Sequence, residues 1–306
     1  MSAEKYVNAS VKNVEESLSK KGLPFLTQCY TPLPSDYRPE LKTSAKRKSE
    51  CIQIYQELVG VLRWAVELGR VNILLEASPM STYMAMPREG HFKQLYRIFG
   101  YLKLYQKRKI AFDPQHPYIS EQMFQHYYWH NFYRDAAEAI PGDMPEPRGN
   151  PMTTHCFADA SHGSNRATRR SQTGKLIFCN KAPMMWYSKR QNTVEASTFF
   201  HQAMKNPVEL AEALRYKLRM FGVPIEASTN IFCDNKAVYK NTSLPESTLK
   251  KKHPVRVAKE GTQTNLSDLF TKLLPQVRRE ELLDKFTCKR SKRYVWLIVL
   301  RGPSKY

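Results

Sequence analysis

The chain has 306 residues, 42% of them hydrophobic and 11% aromatic, a composition that fits a folded protein and a length that leaves room for two domains with separate cores. Lys and Arg number 48 against 28 Asp and Glu, and the formal charge of +20 is more than solubility asks for; it points to a polyanion, foremost nucleic acid, whose phosphates release counterions on such a surface. The six cysteines stand singly with no C-x-x-C pair, which excludes a zinc knuckle and fits a reducing, intracellular setting, cytoplasmic or nuclear.

Val7, Val11, Val14 and Leu18 recur at spacings of three and four and predict a first helix, which Gly22 ends. Residues 23–50 are rich in Pro, Ser and Lys and carry no period, so they read as an exposed connection whose basic run, Lys46 to Lys48, is a solvated face or a phosphate contact. Leu58, Leu62, Ala65 and Val66, then Phe92, Leu95, Phe99 and Leu102, predict two amphipathic helices, with a third helical piece between them punctuated by Pro79 and Pro87. His126 and His130 stand four apart among Tyr127, Tyr128, Trp129, Phe132 and Tyr133. With no third ligand in view, aromatic packing or stacking on bases accounts for this stretch better than zinc does. Pro and Gly then crowd "AIPGDMPEPRGNP". The reading is a mostly helical region over 1–138, a linker at 139–151, a second domain over 152–290 and a tail at 291–306.

After the linker the period changes to two. "THCFADAS", "GKLIFCN" and "APMMWYS" predict three strands, the second and third joined by a tight turn at Asn180 and Lys181. Asn206 as cap, Pro207 at the first position, Glu209 at the third and Gly222 beyond the end predict a helix over 207–221. "TNIFC" is a fourth strand, "DNKAVYKN" begins a helix, "VRVAKE" is a fifth strand and "TNLSDLFTKLL" opens a helix near Asn265. This order belongs to the α/β class. The run "YVWLIVL" in the tail is too short to cross a bilayer, so no membrane partner is expected.

Asp159, Asp234 and Asp268 fall at a strand, a strand end and a helix start, places that can converge on one rim of a sheet. Grouped carboxylates are hard oxygen donors that suit Mg²⁺, and two such ions can activate a water and stabilise the leaving oxygen of a phosphodiester. An isolated aspartate in a first helical turn serves equally as a cap, which is the alternative for Asp268. Lys189, Arg190, Lys250, Lys251 and Lys252 are basic runs at element ends that either meet nucleic-acid phosphates or face solvent. Ser161 and His162 follow closely after Asp159, without an oriented acid or oxyanion donor to make them a nucleophilic pair.

The stretches "FADASHG", "RSQTGKLIFCNKAPMMWYSKRQNTVEAST", "FCDNKAVYKN" and "TQTNLSDLFTKLLP", in that order, resemble the ribonuclease H segment of copia-type long-terminal-repeat retrotransposon Pol polyproteins. "YQELVGVLRWAV" and "HFKQLYRIFGYLK" resemble the region that follows the reverse transcriptase palm. The resemblance implies a ribonuclease H-like fold with a mixed five-stranded sheet and flanking helices. It also implies a DEDD-type carboxylate set holding two Mg²⁺ ions, with Asp159 bridging them, Asp234 second and Asp268 last. Its substrate would be an RNA:DNA hybrid, and the rest of a Pol polyprotein would be a possible partner.

The chain departs from that pattern in three places. Where the pattern places a glutamate it has Phe200, His201 and Gln202, with Glu195 before and Glu209 beyond. His253 runs at once into Pro254 and the next strand, without a connecting helix. No Y-x-D-D occurs, so no DNA synthesis is expected. Three functions follow: a degenerate polyprotein fragment that binds nucleic acid with impaired hydrolysis, a working Mg²⁺-dependent nuclease using Glu195 or Glu209, and a binding module without chemistry. A translated remnant with no present role is the fourth reading.

Overall fold

The computed structural model describes residues 3–47, 49–124, 140–161, 163–192, 194, 199–236, 239–240 and 255–289, with backbone alone over 199–206. The expected helix after Asp234, the His253–Pro254 junction, the aromatic stretch around His126 and His130, and the tail lie wholly or mostly outside these residues.

Four helices build the first half: α1 (Glu4–Lys20), α2 (Ser49–Glu67), α3 (Leu74–Ser81) and α4 (Glu89–Leu104). Val7, Val11, Val14 and Leu18 of α1 are buried against Tyr55, Val59 and Leu62 of α2 and Leu95, Ile98, Phe99 and Leu102 of α4, in one cluster. Gly22 closes α1 at φ +64°, a left-handed conformation in which a side chain would be strained. Residues 23–47 correct the expectation of an exposed connection, because Cys29, Leu33 and Tyr37 are buried in the same cluster. Gly100 on α4 permits this, since a Cβ there would overlap the Leu26 carbonyl. The segment lacks a period because it fills a groove with irregular backbone, and periodicity detects only regular elements.

The second half is an α/β unit. Strands β2 (Thr154–Ser161), β3 (Gln172–Cys179) and β4 (Ala182–Arg190) form an antiparallel meander, turned by Asn180 at φ 53°. Helix α5 (Phe199–Met220) leads to β5 (Thr229–Cys233) and β6 (Val255–Lys259), both parallel to β2. The sheet order is β4-β3-β2-β5-β6, the ribonuclease H-like mixed arrangement. Side chains alternate across β2. Cys156 and Ala158 pack beneath Val208 and Leu214 of α5, whereas Phe157 lies on the other face with Leu269 and Phe270.

Two elements differ from the expected course. Helix α5 begins at Phe199 and runs through Pro207 instead of starting there. An internal proline forfeits one ladder hydrogen bond, about 3 kcal/mol, and burial of Val208, Ala211 and Leu214 on the sheet offsets it. The helix expected at Asn265 is a single 3₁₀ segment, Leu266–Phe270, followed by α6 (Gln276–Leu283). Pro275 biases Leu274 away from helical geometry and so separates the two.

Before β2, β1 (Lys109–Ile110) pairs antiparallel with β7 (Thr287–Cys288), and Asn180 Nδ2 donates to the Pro114 carbonyl at 2.8 Å. Residues 140–150 form no regular element and are mostly exposed.

Candidate active site

The parallel register pairs His155 with Asn230, Cys156 with Ile231 and Phe157 with Phe232. Two residues further along both chains, Asp159 stands level with Asp234, so neighbouring strand ends bring the two carboxylates together. Asp268 arrives from the 3₁₀ segment. The cross-strand partner of Asp159 is Gly174, where a Cβ would sit 2.7 to 2.9 Å from Thr271, Phe270 and the Ser267 carbonyl. The bare glycine backbone therefore lets the 3₁₀ segment lie directly on the sheet. Asn265 fixes its start: its Oδ1 accepts from Ser267 Oγ at 2.6 Å and its Nδ2 donates to the Ala158 carbonyl at 3.4 Å. Ser188 Oγ of β4 donates to the Phe270 carbonyl at 2.6 Å and fixes its end.

The outcome is one acidic cluster. An oxygen of each of Asp159, Asp234 and Asp268 lies within 4.8 Å of the others. The side chains are 7%, 14% and 0% exposed. Lys272, one helical turn after Asp268, places Nζ among them, 2.7 Å from Asp268, 3.4 Å from Asp159 and 3.7 Å from Asp234. Arg278 pairs with the second oxygen of Asp268, and Thr271 Oγ1 donates to Asp159.

Burial, reinforced by the Asp159 charge and opposed by Lys272 and Arg278, pushes the Asp268 carboxyl up to about 6. Burial and then Asp159 push Asp234 upward as well. For Lys272 burial works downward but the three carboxylates outweigh it, so its affinity for its proton is raised. The cluster thus holds an ammonium as a firm counter-charge.

The other expected residues fall as follows. Glu209 is exposed on α5, and its charge acts on Lys175 of β3, whose strand partner Ala158 faces α5; it therefore lies across the sheet from Asp159. Phe200, His201 and Gln202 occupy the first turn of α5. Glu195, His162 and Lys250 to Lys252 lie outside the described residues. Ser161 Oγ accepts from the Gln172 backbone N–H at 3.0 Å and serves β-pairing. Lys189 and Arg190 end β4 and line a cleft against the helical half. Motif reading did not single out Lys272, Thr271, Arg278 or Gly174. The signal for Lys272 was its i,i+4 spacing from Asp268.

A ribonuclease H-like sheet carrying three gathered carboxylates, joined to a helical region, defines the class of this protein. No protein-family profile matches the chain. Over 253 residues, 77% of its length, it is 21% identical to the retrovirus-related Pol polyprotein from transposon RE1 of Arabidopsis thaliana. Over 240 residues, 73% of its length, it is 21% identical to the corresponding polyprotein from transposon RE2 of the same plant. The chain is thus related to retrotransposon Pol polyproteins, as its motifs suggested. The matched stretches cover 15% and 14% of those polyproteins, so the chain spans a small part of their length. Among the described residues no helix is long and apolar enough to cross a membrane.

Proposed function

We propose that the chain is a degenerate retrotransposon Pol fragment, its ribonuclease H-like domain binding nucleic acid, an RNA:DNA hybrid foremost, with hydrolysis impaired. One observation carries the reading: a carboxylate trio gathered from β2, the end of β5 and the 3₁₀ segment, filled by its own lysine, in a sequence with no acidic residue at 200–202.

The trio fits a hard divalent cation in its donor chemistry and its 4.8 Å spacing. Asp159, Asp234 and Asp268 would hold it, with waters completing the shell that Mg²⁺ prefers. When bound, such an ion supplies an activated water and charge stabilisation at a phosphodiester. A set of three supports one ion better than the two that the family resemblance implies. Lys272 must also withdraw from Asp268 before any ion enters, since ammonium and metal compete for the same oxygens.

The working-nuclease alternative recruits Glu195 or Glu209. The position of Glu209 across the sheet speaks against it in that role. The purely binding alternative differs only in the absence of residual chemistry.

The test is a gel assay with a labelled RNA:DNA hybrid and Mg²⁺. The expected result is a shifted complex with no cleavage above that of the Asp159→Asn variant. Robust cleavage that Asp159→Asn abolishes would overturn the impairment, and absence of any complex would overturn the binding.

A further inference from the structure

A cleft of ≈ 550 Å³ separates α2 and α3 of the helical half from β4 of the sheet. Arg63 comes to it from α2, Lys189 and Arg190 from the end of β4, and Arg170 from the loop before β3; Glu67 is the one acidic residue on its wall. Among the described residues none of these four cations holds an ion pair. Four like charges facing a shared space repel one another unless an anion lies between them.

A second opening of ≈ 270 Å³ shares Ser78, Thr82 and Arg190 with the first. Its far wall includes Thr271 and Lys272, the residues that touch Asp159 and Asp268. The two openings adjoin at Ser78, Thr82 and Arg190, so a groove that runs through both would lead from Arg63 past Arg190 to the carboxylate cluster, with Glu40 the acidic residue on the wall of the second. Each volume is of the order that encloses one small ligand, so the groove takes a short run of one strand's backbone, whether that strand is single or part of a hybrid.

We infer that this groove is the track for the phosphate backbone of one nucleic-acid strand, and that the helical half is part of the binding site through Arg63. This deepens the nucleic-acid reading above and rests on it. The phosphates of a strand suit a group of guanidinium and ammonium groups that hold no ion pair among the described residues, and such contacts are sequence-independent recognition. Arg190, common to both openings, hands the strand towards the carboxylates.

Fluorescence anisotropy with the full chain tests it, using a labelled single strand and a labelled hybrid over a salt series. Arg63→Glu with Lys189→Glu is compared with Lys5→Glu with Lys20→Glu, an equal charge change on α1, which lines neither opening. Thermal melts verify folding, and the Gln versions replace any Glu variant that does not fold. The groove predicts a loss of about tenfold or more for the first pair, a salt slope flattened by about 1 per lost phosphate contact, and a much smaller loss for the second. Equal losses in both pairs would overturn the groove while leaving nucleic-acid binding intact. Absence of wild-type binding would overturn the functional reading itself. Inorganic tripolyphosphate displacing the strand at equal concentration would overturn the strand in favour of a small polyphosphate ligand.

Discussion

At the scale of single residues, Lys272 decides how three carboxylates share one buried corner. Its Nζ is 2.7 Å from Asp268, which is fully buried, and its removal leaves that carboxylate with Arg278 as its charged partner. Lys272→Met is expected to destabilise the chain at neutral pH by about 1–2 kcal/mol, discounted because Lys272 is a third exposed. Urea denaturation checks this, and an unchanged midpoint would contradict it. The pH dependence has a definite sign. The Asp268 carboxyl titrates higher in the fold, about 6 against 3.8, so its contribution to stability is present below 3.8 and lost as pH rises through 6. Asp268→Asn removes that dependence. Relative to this variant, the wild type should lose melting temperature between pH 4 and 6.5; parallel profiles would contradict the assignment. Asp234 was legible in the sequence because a carboxylate closing an apolar strand conflicts with its surroundings, whereas Asp268 in a first helical turn could equally have been a cap. The lysine that resolves the conflict was not, since i,i+4 spacing alone describes any solvated helical pair.

At the scale of elements, the site depends on how closely the 3₁₀ segment lies on β3. Gly174→Ala places a Cβ against Thr271, Phe270 and the Ser267 carbonyl, two of them on backbone or at a Cβ, which cannot swing aside. A loss of about 1–3 kcal/mol is expected, the cost of overpacking. Chemical denaturation measures it, and a neutral Gly174→Ala would mean that the segment is not held against the strand. The strands were readable because half-buried sheets alternate and fully buried ones run apolar: β2, β5 and β6 fall where the period places them. Local signals failed where tertiary packing overrode them. Asn206 and Pro207 carry the marks of a helix start, yet α5 continues back to Phe199. The 3₁₀ segment has a cap, Asn265, and an apolar run, but Pro275 stops it from becoming the helix the cap announces. The two-residue strands β1 and β7 are too short to leave a pattern.

At the scale of the whole molecule, the halves are joined by a buried ion pair. Arg279 of α6 donates to Glu76 of α3 at 2.7 Å and also to the Asn72 carbonyl; the pair's side chains are 3% and 1% exposed. Burial pushes the Glu76 carboxyl upward despite the guanidinium beside it. Breaking such a pair strands a charge in the interior, so Glu76→Ala should cost about 3–5 kcal/mol. Both halves should then unfold earlier in one transition, as followed by calorimetry; early loss of the sheet alone would contradict a shared clamp. The partners are 203 residues apart, and no periodic or local rule connects positions so distant. Net charge, by contrast, was legible at this scale from composition, though not that Arg63, Arg170, Lys189 and Arg190 line one cleft.

Calorimetric titration of Mn²⁺ into the wild type and Lys272→Met tests the proposal that the carboxylate trio, partly neutralised by Lys272 and Arg278, falls short of a full metal set. Weak uptake by the wild type, beyond the millimolar range, is expected, with tighter uptake by the variant through the freed oxygens of Asp159, Asp234 and Asp268. Two ions bound tightly by the wild type, with no gain on removing Lys272, would contradict it.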